Sequence, residues 1–260
     1  AVGMTFPFIA AGLMRKSGAE VSLPMLYFTN SLGSAIGILF TSYTLIPVFG
    51  NHVTLCVAAS INFLLATIFG VIGFWTSPVR DEDDVEESAE ETHVDPKLPM
   101  PPKSTWFWIA AITGLTSFVY EIVWIRLLSL LMGSSSHSFD QMLSAFILGL
   151  SIGSAVSGKL LKKDSLVVLS LAQIFMAFFA LCTLYFHQPF WMMMNEANQI
   201  FNSTNDGYVC WSIFKYVLSL LWMVPTSFFA GMTLPLITII LTRAFKSEAP
   251  IGKVYGWNTL

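Results

Sequence analysis

Apolar runs of bilayer length dominate this chain, and they limit what it can fold into. A helix crossing the hydrocarbon core needs about 20 predominantly apolar residues. Runs of that kind occupy 24–49, 53–77, 105–133, 138–161, 165–187 and 208–242, a shorter one fills 1–14, and a last one opens near Pro250 and is cut at Leu260. They are too long and too uniformly apolar for barrel strands, so an all-α, polytopic transmembrane bundle in the cell (inner) membrane is expected, with the lipid bilayer as its first partner. The charge inventory points the same way. Charged residues make up 11% of the 260 positions, against about 25% in an average soluble domain. Nine of the 16 acidic residues lie between Asp81 and Asp95. A soluble globule, a disordered chain and a nucleic-acid binder with a basic face are thereby excluded. Cys56, Cys182 and Cys210 form no C-x-x-C pair, so neither a disulfide framework nor a zinc site is expected.

Turn-forming stretches punctuate the runs: "RKSGAEVS", "GNH", "GSSSHS", "KLLKKDS" and "NQIFNSTNDG". The run 208–242 is too long for one upright crossing, since 35 helical residues extend about 52 Å against a core of about 30 Å. Pro225, Gly231 and Pro235 either kink one helix or divide two. Charge favours a single crossing. In that case Arg15, Lys16, Lys159, Lys162, Lys163, Arg243, Lys246 and Lys253 share one side, which the positive-inside rule makes cytoplasmic. The acidic, proline-containing stretch 78–104 falls on that side as a solvated cytoplasmic linker. It separates 1–77, about three helices, from 105–260, about five helices with the last truncated. Both ends of the chain lie inside apolar runs, as expected of a piece of a longer polypeptide.

The two ends also match each other. Residues 3–32, "GMTFPFIAAGLMRKSGAEVSLPMLYFTNSL", align without a gap on 231–260, "GMTLPLITIILTRAFKSEAPIGKVYGWNTL", with eleven of thirty positions identical. The identities cluster as G-M-T-x-P and Y-x-x-N-x-L. Six crossings lie between equivalent points, so the repeats run parallel, as do the two halves of a major facilitator transporter. In that register the chain holds helices four to six of one half, the central loop, and helices one to four of the other with the start of its fifth. Asn30 and Asn258 are repeat-equivalent polar residues near helix starts, suited to capping or interhelical bonding.

Glu121 is the acidic residue placed closest to mid-membrane. Burying a charge there costs at least about 2.5–3.5 kcal/mol, so the side chain must face protein or water. In a major-facilitator-like arrangement the first helix of each half lines the central cavity, where a carboxylate would suit a small cationic solute; a fixed bond to a neighbouring helix is the structural alternative. Arg126 lies about 140° round the same helix and cannot pair well with Glu121. Asp140, at the start of the next helix, is its expected partner, as a structural charge pair. Tyr120 and Trp124 flank Glu121 and complete the candidate substrate-binding set. Ala145, Gly149, Gly153 and Ser157 recur every four residues, a pattern that lets helix backbones approach closely. His52, His137 and His187 fall at helix ends opposite the basic loops. "FWMMMN" at 190–195 reads as an interfacial anchor, and Asn202 opens a glycosylation sequon.

"GLTSFVYEIVWIRLLSLLMGSSSHSFDQMLSAFILGLSIGS", followed by "GMTLPL" and "VYGWNTL", resembles the membrane region of fused spermidine-synthase-like proteins, in which a major-facilitator-like membrane domain precedes a soluble aminopropyltransferase-like domain. Tyr120, Glu121, Trp124, Arg126, Gly133, Gly149 and the two repeat motifs carry the resemblance. It implies that the parent polypeptide transfers an aminopropyl group from decarboxylated S-adenosylmethionine to putrescine, in a Rossmann-like domain that this chain lacks. The resemblance therefore carries no catalytic residue, no cofactor and no metal onto this chain, and implies a polyamine as the solute. The alternatives from the residues alone are a free-standing transporter and a membrane scaffold.

Overall fold

The computed structural model describes residues 19–75, 102–160, 165–201, 205–245 and 250–259. The run 1–14, the first G-M-T-x-P, most of the linker 78–104 and the Asn202 sequon lie outside them. Every regular element among the described residues is helical: α1 (Ala19–Phe40), α2 (Ile46–Trp75), α3 (Lys103–Met132), α4 (Ser136–Leu160), α5 (Ser165–Tyr185), α6 (His187–Phe201), α7 (Asn205–Phe245) and α8 (Pro250–Thr259). A wide turn of π-helix, Thr41–Leu45, follows α1. Five stretches are long and apolar enough to cross a membrane: Leu23–Ile72, Ser104–Met132, Ser136–Leu160, Ser165–Tyr185 and Val209–Arg243. The first of these is interrupted at Gly50, where φ of 72° and ψ of 171° leave the helical region. Glycine tolerates that conformation without a Cβ penalty, so the "GNH" joint is a break in the backbone.

The chain divides into two compact units, 1–39 with 101–260, and 40–100. In the smaller unit, α2 exposes apolar side chains all round, among them Val48, Leu55, Phe63 and Phe69. Its hydroxyls turn back onto their own helix: Thr54 donates to the Gly50 carbonyl, Ser60 to Cys56 and Thr67 to Phe63. Such a helix presents no unmade hydroxyl bond to an apolar surrounding.

The larger unit is built around α7. Pro225 and Pro235 leave it one continuous helix of 41 residues, which settles the question of one helix or two. All residues from Ala230 to Leu241 are buried. Threonines on this stretch bond within the helix, Thr233 to the Ala230 carbonyl at 2.6 Å and Thr238 to Leu234 at 2.8 Å. One apolar core surrounds this half with Trp106, Ala110, Val168 and Leu169. The other surrounds Trp222 and Met223 with Trp124, Leu128, Met142, Phe190 and Met194. The short helix α6 contributes Phe190 and Met194 to that second core while Trp191 and Met192 stay exposed.

Small residues join α4 to its neighbours. A Cβ on Gly149 would meet the Ser227 side chain, one on Gly153 the Phe228 carbonyl, and one on Gly231 the Leu150 carbonyl. On another side of α4, Ser144, Ser151 and Ser154 donate to the carbonyls of Ala35, Phe28 and Pro24 of α1, at 3.0, 3.0 and 2.9 Å. Residue numbers rise along one helix as they fall along the other, so the two are antiparallel. Each hydroxyl bond of this kind contributes about 0.6 kcal/mol in a membrane protein.

The glycine contacts can be tested directly. Gly153→Ala is expected to destabilise the protein by about 1–3 kcal/mol, as overpacking does. Gly37→Ala has nothing within 4 Å of its new Cβ and should leave stability unchanged or raise it by up to about 1 kcal/mol. Denaturant unfolding in detergent micelles reads both; equal effects of the two would contradict the packing.

Candidate functional site

The candidate site grows from α3. Pro102, with φ −59° and ψ 153°, caps its start, and Gly133, with φ 83°, ends it. The helix is apolar on most faces, but Ser117 follows Thr113 by four residues and Gly114 by three, and Glu121 follows Ser117 by four, which gathers them on one side. That face looks into a cavity of about 130 Å³, which α1 lines through Tyr27, α4 through Phe146 and Leu150, α7 through Ala230, Thr233 and Leu234, and α8 through Asn258. The tyrosine of the first Y-x-x-N-x-L, the threonine of the second G-M-T-x-P and the asparagine of the second Y-x-x-N-x-L thus line the same cavity as Glu121.

Most polar groups around the cavity are already engaged. Asn258 Nδ2 donates to the Ala110 carbonyl at 3.0 Å, Gln173 Nε2 reaches Thr113 Oγ1 at 3.4 Å, and Thr233 is bonded within α7. Glu121 differs. Its side chain is half-buried, and no described residue gives its carboxylate a hydrogen bond or an ion pair. α8 closes one wall by direct backbone approach, since a Cβ on Gly114 would collide with the Asn258 carbonyl. Trp257 adds ring contacts to Phe107 and Trp108 at 6.4 and 5.4 Å.

Tyr120 and Trp124 fall on the same side of α3 as Thr113 and Ser117 but farther along its axis. Trp124 is 2% exposed, donates to Thr183 Oγ1 at 3.2 Å, stacks on Tyr120 at 5.3 Å and tilts against Phe146 at 6.5 Å. Neither ring lines the cavity; they belong to the second apolar core, and Phe146 both lines the cavity and packs on Trp124. Asn30 is exposed, unlike its repeat partner Asn258.

The expected pair of Arg126 and Asp140 is not formed: among the described residues no ion pair joins them, and Arg126 is exposed. Asp140 instead lines an open cleft of about 550 Å³ with Ile125, Ser129 and the turn Gly133–Ser136. Arg126 sits about 100° round the helix from Ile125 and so is turned off the cleft-facing column. Among the described residues no group of three or more His, Cys, Asp or Glu side chains is placed to hold a metal ion.

Sequence reasoning overlooked Lys215. It lies inside the apolar run 208–242 and is buried, 8% exposed. The rule that singled out Glu121, an ionisable residue within a membrane-length run, would have found it. Comparison with protein-family models, with curated proteins and with solved structures finds no match to this chain.

The wall built by α8 has a measurable signature. Asn258→Ala is expected to cost about 0.6 kcal/mol, the mean for such bonds, and Gly114→Ala more, through the clash. Once the clash has displaced α8, the amide bond is already lost, so the double mutant should be less destabilised than the sum by about that same amount. Unfolding of the four proteins of this cycle measures it; strict additivity would show that the wall is not held this way.

Proposed function

We propose that this chain is the membrane domain of a spermidine-synthase-like fusion protein, major-facilitator-like with two parallel repeats, and that it binds a small cationic solute at Glu121. The observation that carries the reading is an unengaged carboxylate on a membrane-length helix, facing a cavity to which both repeat copies contribute. A carboxylate in that position attracts a cation and gains from a charge-assisted hydrogen bond to an ammonium. Size narrows the solute. A cavity of 150 Å³ accepts benzene, so about 130 Å³ holds roughly six heavy atoms. An unbranched diamine of that size fits with one ammonium at Glu121 and its methylenes against Phe118, Phe146 and Leu150. A longer polyamine extends beyond the cavity. The soluble aminopropyltransferase-like partner domain and the cytoplasmic side of 78–104 belong to this same reading, and rest on the family resemblance and the charge distribution.

Cation binding needs the ionised carboxylate, so affinity for a diamine rises with pH through the titration of Glu121. Glu121→Gln keeps the shape and removes the charge. A charge-assisted bond contributes about 1.5–3 kcal/mol, so the variant should bind putrescine roughly 10- to 100-fold more weakly and without dependence on pH between about 5 and 8. Calorimetry on the purified chain measures this. Binding equal to the parent's across that range would overturn the site.

Orientation is tested separately. Cysteines introduced at Ser88 and Ser203 should react with an impermeant maleimide from opposite faces of the membrane, Ser88 from the cytoplasmic one. Labelling of both from the same face contradicts the topology.

A further inference from the structure

A second ionisable group is buried in the larger unit, away from the Glu121 cavity. Lys215 of α7 is 8% exposed and lies six residues inside the apolar stretch Val209–Arg243. Its Nζ donates to Ser138 Oγ at 3.3 Å and stands 5.8 Å from the centre of the Trp211 ring. The ionisable side chains on the elements packed around this part of α7 are Glu121 and Arg126 of α3, His137 and Asp140 of α4, Cys182 and Tyr185 of α5, His187 and Glu196 of α6, and Cys210 and Tyr216 of α7 itself. Among the described residues none of them forms an ion pair with Lys215. A buried ammonium held by one hydroxyl and one ring face lacks the counter-ion that such a charge ordinarily has.

The amine is nevertheless connected to the surface. Ser138 Oγ, itself fully buried, lies 2.8 Å from Ser135 Oγ, and either can donate. Ser135 is exposed and lines the open cleft beside Ser134, Ser136 and Asp140. The turn holds this geometry: Ser135 caps α4, its Oγ accepting from the Ser138 amide at 3.2 Å and its carbonyl from the Phe139 amide at 3.1 Å. Lys215, Ser138 and Ser135 thus form a continuous chain of exchangeable protons from the helix core to the cleft.

We infer that Lys215 is a proton-binding site that exchanges with the cleft at the α3–α4 turn through the hydroxyls of Ser138 and Ser135. In the release step an N–H bond of the Lys215 ammonium breaks as an O–H bond forms at Ser138. Ser138 passes its own hydroxyl proton to Ser135, and Ser135 passes its proton to cleft water. One proton leaves, the amine becomes neutral, and both serines end as hydroxyls; uptake runs the same chain backward. The Asp140 carboxylate on the cleft favours a positively charged visitor such as hydronium over an anion. The inference does not depend on Glu121 binding a solute.

Trp211 supplies the readout, because loss of the ammonium beside its ring alters indole emission. Tryptophan fluorescence of the full chain in lipid nanodiscs, titrated between about pH 6 and 10, should show a transition that is absent in both Lys215→Met and Trp211→Phe. After a rapid pH jump, Ser138→Ala and Ser135→Ala should each keep the transition but approach it about tenfold or more slowly. A transition that survives Lys215→Met or Trp211→Phe overturns the site. Relaxation as fast as the parent's in both serine variants overturns the path. Should Lys215→Met fail to fold, judged by its helical circular dichroism, Lys215→Arg serves in its place, since arginine stays charged over this range.

Discussion

Close approach of backbones at the α4–α7 contact is the constraint on which the rest of the larger unit depends. Between apolar helices in lipid there is no hydrophobic drive to associate, so packing and hydrogen bonding must do it. Gly149, Gly153 and Gly231 bring the two helices together until carbonyls and small side chains occupy the space a Cβ would fill. With α4 so placed, its opposite side can offer Ser144, Ser151 and Ser154 to the carbonyls of α1. The cavity beside Glu121 is the space left where α3, α8 and α1 meet this tightly joined pair.

Polar groups in this framework fall into two kinds. Hydroxyls of serine and threonine are mostly closed off, bonded to carbonyls of their own helix or the next, and they contribute to packing. The ionisable groups Glu121 and Lys215 are not neutralised by any described partner. They lie on different helices and communicate with different spaces, one with the cavity lined by α1, α3, α4, α7 and α8 and the other with the cleft at the α3–α4 turn. Charges held at such a cost without a fixed counter-ion are suited to transient ones.

Much of this was legible in the sequence, because hydropathy and turn chemistry are local. The joint "GNH" became the backbone break at Gly50, and "GSSS" became a glycine terminus and a serine cap. The four-residue spacing of small residues in 138–161 foretold close helix contact. What the residues did not disclose is which face meets which neighbour. Tyr120 and Trp124 stand beside Glu121 in the chain, yet the neighbouring helices take them into the aromatic core and not the cavity. Arg126 and Asp140 have complementary charge across a hairpin, but their faces diverge. Whether Pro225 and Pro235 would end a helix depended on the packing around α7, which no single run encodes.

The repeat has not been used symmetrically. Asn258 is tied to the Ala110 carbonyl while its counterpart Asn30 looks outward, and the first copy instead lends Tyr27 to the cavity. Two segments of common pattern therefore live under unequal constraint. The amide of one copy is bound to a single geometry, whereas that of the other is open to drift. A change of specificity at the cavity has two separate handles, a phenol on one copy and an amide on the other, and either can vary while its twin keeps the helix.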